Sequence, residues 1–233
     1  MIDIHENYGR HLIRDFAART GARSVVDLGA GQGHDLCNIQ GVLSGVRCHG
    51  VEGHKPFQQD LANAGIHVID ANIETDRLDF ADGSIELVVA NQIFEHLKEG
   101  FGGCHEIARV VPVGGHLLIS VPNLASLHNR LLLLAGRQPT CQQNWSVHVR
   151  GFTRRDLLAL LDRPFPGGWR QVTWGGSSFY SFPRMIARPL ARLFPSMAWS
   201  LCVLIRKERV YDGGYLRWPV EQALQTNFRL AAG

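Results

Sequence analysis

The chain has 233 residues, 45% of them hydrophobic and 19% charged, a balance that fits a globular fold with a sizeable core and excludes a disordered chain. A net charge of +3 is too small to argue for a nucleic-acid partner, and no apolar run approaches the roughly 18 residues of a membrane span. The cysteines (Cys37, Cys48, Cys104, Cys141, Cys202) are odd in number and lack a C-x-x-C pair, so reduced, buried thiols are expected rather than a disulfide framework or a zinc ribbon. The opening MIDIHENYGR carries charges and no apolar core, unlike a secretory signal.

Tyr8, Leu12, Ile13, Phe16 and Ala17 recur at helical spacing and predict a first helix over residues 5–20, stopped at Thr20-Gly21. Ser24 to Gly33, SVVDLGAGQG, then predicts a short buried strand running into a turn with glycines at 29, 31 and 33. Glycine permits positive φ and lets backbone approach a ligand closely. The helix that follows, with Leu36, Ile39, Val42 and Leu43 on one face, offers N–H groups suited to a carboxylate or phosphate. The dinucleotide fingerprint G-x-G-x-x-G would need its third glycine where His34 stands, and no nearby Lys completes a P-loop. A nicotinamide-dependent oxidoreductase therefore fits less well.

A second strand, Gly45 to Glu52, ends in an acid about 20 residues beyond the loop, where a βαβ unit puts a carboxylate within reach of ribose hydroxyls. Gly53 beside it suits close approach. Lys55 to Ala64 predicts a helix, and Ile66 to Ile69 a third strand leading to Asp70-Ala71-Asn72. Asp79 to Val89 predicts a turn at Asp82-Gly83 and a fourth strand, followed by the loop NQIFEHL from Asn91 to Leu97. A helix over Phe101 to Val111 stops at Pro112 and Gly114-Gly115, and His116 to Val121 forms a fifth strand. Later come a helix over Thr153 to Leu161 with a Thr153–Asp156 capping pair, a sixth strand over Arg170 to Trp174, and a last strand over Trp199 to Arg206. Strands alternating with helices predict a parallel α/β sheet. The tail from Lys207, with Tyr211, Tyr215, Trp218 and Phe228, carries no functional signal.

In this order, D-x-G-x-G-x-G at 27–33, Glu52, Asp70-Ala71-Asn72, Glu95-His96-Leu97 and R-V-x-P-x-G-G at 109–115 resemble the class I S-adenosylmethionine (SAM)-dependent methyltransferases over residues 5–175. Departures are Leu78-Asp79 where Leu-Pro is usual, Ile85-Glu86 for Phe-Asp, and Val111-Pro112-Val113 in the Lys-Pro place. Pro122-Asn123, L-x-G-R-x-P-T at 134–140, His148-x-Arg150 and F-T-x-x-D-L at 152–157 are similar to bacterial members linked to quinone, methionine and cell-surface glycan or lipid pathways.

The resemblance implies a single Rossmann-like α/β domain over 1–233, with a seven-stranded, mostly parallel sheet, helices on both faces and an antiparallel last strand. It implies SAM as cofactor, held by Asp27, Gly29, Ala30, Gly31, Gly33, Glu52 and Gly53. Asp70 would meet the adenine amino group, with Ala71 and Asn72 offering backbone N–H to the ring, and Asn91 would lie beside the methionine part. Tyr8 on the leading helix is a candidate to cover the cofactor. His96 reads as a structural residue or a proton acceptor near the crevice. No side-chain cluster at metal-ligand spacing is visible in the sequence, so no metal is expected.

Pro122 to Arg150 is long for a strand-to-helix connection, usually about 2–6 residues, and holds a predicted helix over Leu124 to Leu134. In an open α/β sheet the crevice lies beyond the strand C-terminal ends. Inserts at 122–152 and 177–198 are therefore expected to cap an acceptor pocket, with Asn123, His128, Trp145 and Arg150 as substrate candidates. His148 is the candidate general base, its other reading being a loop pin. Within 177–198, Arg184, Arg188 and Arg192 would share one helical face beside Met185, Ile186, Leu190, Leu193 and Phe194, although Pro189 argues against one continuous helix. Such a segment suits a peripheral membrane contact, a lipid-linked substrate, internal packing or a dimer contact. The expected activity is methyl transfer to oxygen, less readily nitrogen, of a small-molecule, glycan or lipid-linked acceptor. The setting would be the cytoplasm or the inner face of its membrane, and the alternative is a non-catalytic SAM-fold interaction subunit.

Overall fold

In the computed structural model, which describes residues 8–224, the fold is built outward from β1 (Ser24–Leu28), all five of whose residues are buried. β2 (Arg47–Val51) and β4 (Leu87–Asn91) flank it in parallel; β3 (His67–Ile69) extends the sheet beyond β2, and β5 (His116–Pro122) beyond β4. β7 (Ser200–Lys207) pairs antiparallel with both β5 and β6 (Trp169–Ser177). The strand order is β3-β2-β1-β4-β5-β7-β6, six strands running one way and β7 reversed, as the resemblance implied. A register shift between Gln171 and Thr173 interrupts the β6–β7 ladder.

Helices cover both faces because strand residues alternate in direction. Val26 and Leu28 of β1, Val88 of β4, Leu117 of β5 and Val203 of β7 turn to one face, and there meet Ile107 of α4 (Gly100–Val110), Leu157 of α6 (Arg154–Asp162) and Tyr215 of α8 (Gly214–Glu221). Val25, Leu87, Leu118 and Leu204 turn to the other face. Ile13 and Phe16 of α1 (Arg10–Ala17), Leu36 and Ile39 of α2 (His34–Gln40) and Leu61 of α3 (Lys55–Asn63) pack there.

Two sequence signatures are structural. Glu106 and Arg109 of α4 form a clasp: their 2.6 Å ion pair also takes in the Leu78 amide at 2.8 Å, the Leu78 and Phe80 carbonyls and Asp82. This fixes the turn before β4 against the helix. Lys207, 4% exposed, reaches from β7 to donate to the Ala108 and Val111 carbonyls at 2.6 and 2.7 Å. A cation there answers the unsatisfied end of α4.

The predicted capping pair on α6 is present, Thr153 Oγ1 accepting from the Asp156 amide at 3.2 Å. Other expectations are corrected. α5 (Leu127–Leu134) starts three residues later than expected because Ser126 caps it, accepting from the Asn129 amide. α7 (Arg184–Leu193) runs unbroken through Pro189. Pro189 withdraws one N–H from the Met185 carbonyl a turn earlier, and Met185 itself is exposed. Cys37 is exposed, whereas the other four cysteines are buried and all five are free thiols. Tyr215 of the tail is core: its hydroxyl donates to the Leu161 carbonyl at 2.6 Å and accepts from the Trp169 indole at 2.9 Å. Phe228 lies outside the described residues. Among the described residues no helix is long and apolar enough to cross a membrane.

Candidate active site

The glycine loop leaves β1 and folds back on β2: the amides of Gly29 and Ala30 both donate to the Val51 carbonyl, at 2.9 and 3.1 Å. All three glycines have positive φ, but for different local demands. A Cβ on Gly29 would sit 2.6 Å from Ile93, and one on Gly33, which starts α2, within 3 Å of Leu61 and Ile66. These two are packing requirements. A Cβ on Gly31 would meet nothing within 4 Å. Gly31 thus opens the loop toward free space, the cradle a ligand needs.

Glu52 stands opposite. Its carboxylate accepts from the Gly31 amide (Oε2, 2.8 Å) and the His54 amide (Oε1, 2.8 Å), so it is fixed at the rim with acceptor capacity left over. A Cβ on neighbouring Gly53 would also meet open space. Asp27 is buried at the end of β1; burial, then the nearby Asp35 charge, hold its carboxyl well above the usual carboxylate range. Asn91, at the tip of β4, donates through Nδ2 to Asp35 Oδ2 at 2.8 Å, while its buried Oδ1 has no partner. Arg10 of α1 brings Nε to 4.0 Å from Asp35. Asp35 and Arg10 were not singled out from the sequence; an acid in the first turn after the glycine loop was the available signal for Asp35.

Asp70 is exposed and engaged by α3. Lys55 Nζ lies 2.5 Å from Oδ2 and Gln58 Nε2 2.9 Å from Oδ1, and the Lys55 hydrogen bond holds its pKa below the usual range. Ala71 packs against the core. The expectation for the Asn72 amide is corrected: it donates to Asp76 Oδ2 at 2.9 Å, closing a local turn.

One residue beyond Asn91 a second chamber begins. A cavity of about 430 Å³ is lined by Gln92, Glu95 and His96 from the β4 loop, Tyr8 before α1, Cys141 and His148 from the first insert, and Trp199 before β7, among others. Gln92 holds a left-handed φ of 56°, a costly conformation stabilised here by its amide bond to the Ser120 carbonyl and its side chain's bond to Ser120 Oγ. His148 places Nδ1 3.2 Å from the Cys141 carbonyl, so Nδ1 carries the proton and Nε2 remains an acceptor. The His96 and His148 rings meet edge to face at 4.7 Å, and burial, then His148, lower the His96 pKa. Glu95 is 1% exposed, neither carboxylate oxygen has a hydrogen-bond partner, and burial pushes its pKa up to about 8. Glu95, His96 and His148 offer one ligand atom each, all within 4.8 Å of one another. Spacing along the chain did not reveal this grouping, because His148 lies about fifty residues beyond His96.

Four substrate candidates fall elsewhere. Asn123 is buried and spends its amide on the Ser196 and Ala198 carbonyls and the Ala125 N–H, tying the two inserts together. Arg150 donates to the Leu97 and Lys98 carbonyls at 2.9 and 2.7 Å, while the Val149 and Arg150 amides donate to the Glu95 carbonyl. Arg150 is a clamp between insert and loop. His128 packs on Tyr180 and Trp199 and touches the cavity only through Trp199. Trp145 is 82% exposed and is not among the residues that line the cavity. Glu95, Gln92, Cys141 and Trp199 carry the wall instead, and none was named as a site candidate from the sequence.

A family model described as "Methyltransferase domain" matches residues 26–119. Two Mycobacterium tuberculosis relatives, each named "Probable S-adenosylmethionine-dependent methyltransferase", are 28% identical over 160 residues. That match covers 67% of this chain and 54% of each relative, so the chain spans about half the length of the curated relatives it matches. Among solved structures, a SAM-dependent methyltransferase from Mesorhizobium loti superposes with a TM-score of 0.59 at 17% identity, covering 84% of this chain and 96% of that one. The Burkholderia thailandensis 1,6-didemethyltoxoflavin-N1-methyltransferase, solved with its substrate and S-adenosylhomocysteine, superposes at 0.56 with 19% identity, covering 84% and 78%. These two likenesses concern the fold. The glycine cradle, the rim carboxylate and the unpartnered Asn91 oxygen fit the nucleoside and amino-acid ends of SAM, and all of these residues fall within the stretch, 26–119, that is similar to the methyltransferase-domain model.

Proposed function

We propose that this chain, acting as one domain, moves a methyl group from SAM to a hydroxyl oxygen of a small-molecule, glycan or lipid-linked acceptor. Glu52 takes the ribose hydroxyls, Gly31 and Gly53 give the ligand room, and Asp70 meets the adenine edge when Lys55 yields. Asn91 and Arg10 face the methionine end. Bound SAM supplies a methyl carbon made electrophilic by its sulfonium. The protein's part is alignment of donor and acceptor and exclusion of water.

The observation that carries the acceptor reading is the cavity beside Asn91 with an imidazole whose tautomer is fixed by the Cys141 carbonyl. A hydroxyl must lose a proton as it attacks, whereas a neutral amine can attack first, so a wall furnished with His148 and His96 favours oxygen. Apolar side chains on the inserts favour an acceptor with an apolar part: Leu134, Met185 and Leu193 are 85%, 89% and 72% exposed. Incubation with radiolabelled SAM and fractionated lipid, glycan and small-molecule extracts tests this. Label in an alkali-stable ether of a lipid or glycan fraction is expected. Tight SAM binding without transfer to any fraction would instead favour a non-catalytic subunit.

A further inference from the structure

The Glu95 carboxylate is the least explained group in the chamber. A carboxylate this deeply buried costs several kcal/mol unless a cation or a proton answers it, and neither oxygen has a hydrogen-bond partner. Two imidazoles stand beside it. His96 Nε2 lies 3.9 Å from Glu95 Oε1, and the His148 ring packs edge-on against His96. The Cys141 carbonyl takes the His148 Nδ1 proton and leaves Nε2 as a lone-pair donor. A backbone carbonyl on the far ring nitrogen is the usual orienting partner of a metal-bound histidine. The Glu95 carbonyl in turn accepts from the Val149 and Arg150 amides at 2.8 and 3.1 Å, so the backbone on both sides of the cluster is braced.

We propose that Glu95, His96 and His148 form a binding site for one divalent first-row transition cation, opening onto the acceptor cavity. Two imidazoles and one carboxylate are a borderline donor set that suits zinc or ferrous iron better than magnesium or calcium, which prefer all-oxygen shells. Three protein ligands leave coordination positions vacant, and all three residues line the cavity. The acceptor class that follows is an oxygen ligand able to reach the ion, such as a phenol, catechol or vicinal diol. This deepens the proposed methyl transfer and rests on it for the acceptor class alone; the ion site stands on the three side chains. With an ion bound, the imidazoles act as ligands and orient the acceptor oxygen, and in its absence His148 keeps the base role.

The test uses the full chain stripped with chelator and dialysed, then titrated with cobalt(II) chloride, which is visible when bound, followed by zinc(II) chloride in competition. The expected result is one equivalent of cobalt per chain with ligand-field absorption, displaced by zinc, and a melting temperature raised by either ion. Glu95→Gln and His148→Ala should each weaken cobalt binding at least ~100-fold, judged against ligand losses at known sites, while circular dichroism shows both variants folded. If a variant does not fold, carbethoxylation of His148 in the wild-type chain, blocked by zinc, supplies the same information. The His49–His67 pair, whose Nδ1 atoms lie 3.5 Å apart on β2 and β3, is the internal control. Binding that survives Glu95→Gln and His148→Ala but falls with His67→Ala overturns the proposal, as does no binding below millimolar cobalt. Either negative leaves methyl transfer to be judged by the labelled-SAM assay, so the two readings fail separately.

Discussion

The proposed cofactor half and the proposed acceptor half of this molecule are built on different principles. At the ends of β1, β2 and β4 the ligand-facing groups are backbone and short side chains fixed to strands: the Gly31 amide on Glu52, Gly29 and Ala30 on the Val51 carbonyl, Asn91 on Asp35. The acceptor half hangs from inserts held by a few long-range bonds, chiefly Arg150 to the Leu97 and Lys98 carbonyls and Asn123 to Ser196 and Ala198. In the proposed reading the first is a rigid seat for the cofactor and the second a replaceable wall around the acceptor, which is where loops on a fixed scaffold usually carry specificity.

The sharpest way to break the contrast is Gly31→Val. The side chain would enter the one glycine of the 29–33 turn that faces open space, at φ 53° where a β-branched residue is strained. SAM affinity by calorimetry should fall at least ~100-fold, as expected when a ligand-facing site is filled. A folded variant with unchanged affinity would move the cofactor out of this crevice. Next is His148→Ala, which should lower kcat by about 10²–10³, the usual scale for a general base, with SAM affinity within about threefold. Full activity would remove His148 from the chemistry. Arg150→Ala should act on the acceptor half alone, loosening the insert by about 1–3 kcal/mol, the scale of lost charge-assisted hydrogen bonds. It should appear as a raised acceptor KM with SAM binding untouched; a matching loss of SAM affinity would show that the halves are mechanically one.

The smallest effect concerns pH. Burial and Asp35 hold the Asp27 carboxyl above its ordinary range, so the folded state keeps a proton that the unfolded chain releases near pH 4. Its contribution to stability is complete below that pH and declines as pH rises toward the folded value. Asp27→Asn should flatten this part of the melting-temperature profile as pH rises above about 4. An unchanged slope would assign it to other groups.

The residues proposed for the cofactor half could be named from the sequence because they are local. Gly29, Gly31, Gly33 and Glu52 sit within one βαβ unit, where spacing alone dictates geometry. Even there, Asp35 was hidden as an ordinary helix-start acid and the Asn72 amide was committed to Asp76. The acceptor half was not legible, because its side chains meet only after the chain has crossed the sheet. His148 reaches Glu95 and His96 through the fold of a loop, and loop paths follow no hydrophobic period. Arg150 and Asn123 looked like free polar groups and proved to be fasteners. Pro189 misled because the helix continues through it, with Met185 one turn earlier exposed.

The reversed direction of β7 has an architectural consequence. A strand that ran with its neighbours would require the chain to cross back to the opposite end before entering it. Because β7 returns directly from β6, the link that carries α7 emerges at the same rim as the glycine turn, alongside the segment leaving β5. Two lengths of chain can therefore be rewritten side by side over the ligand, each stitched to the other through Asn123, without altering any strand beneath.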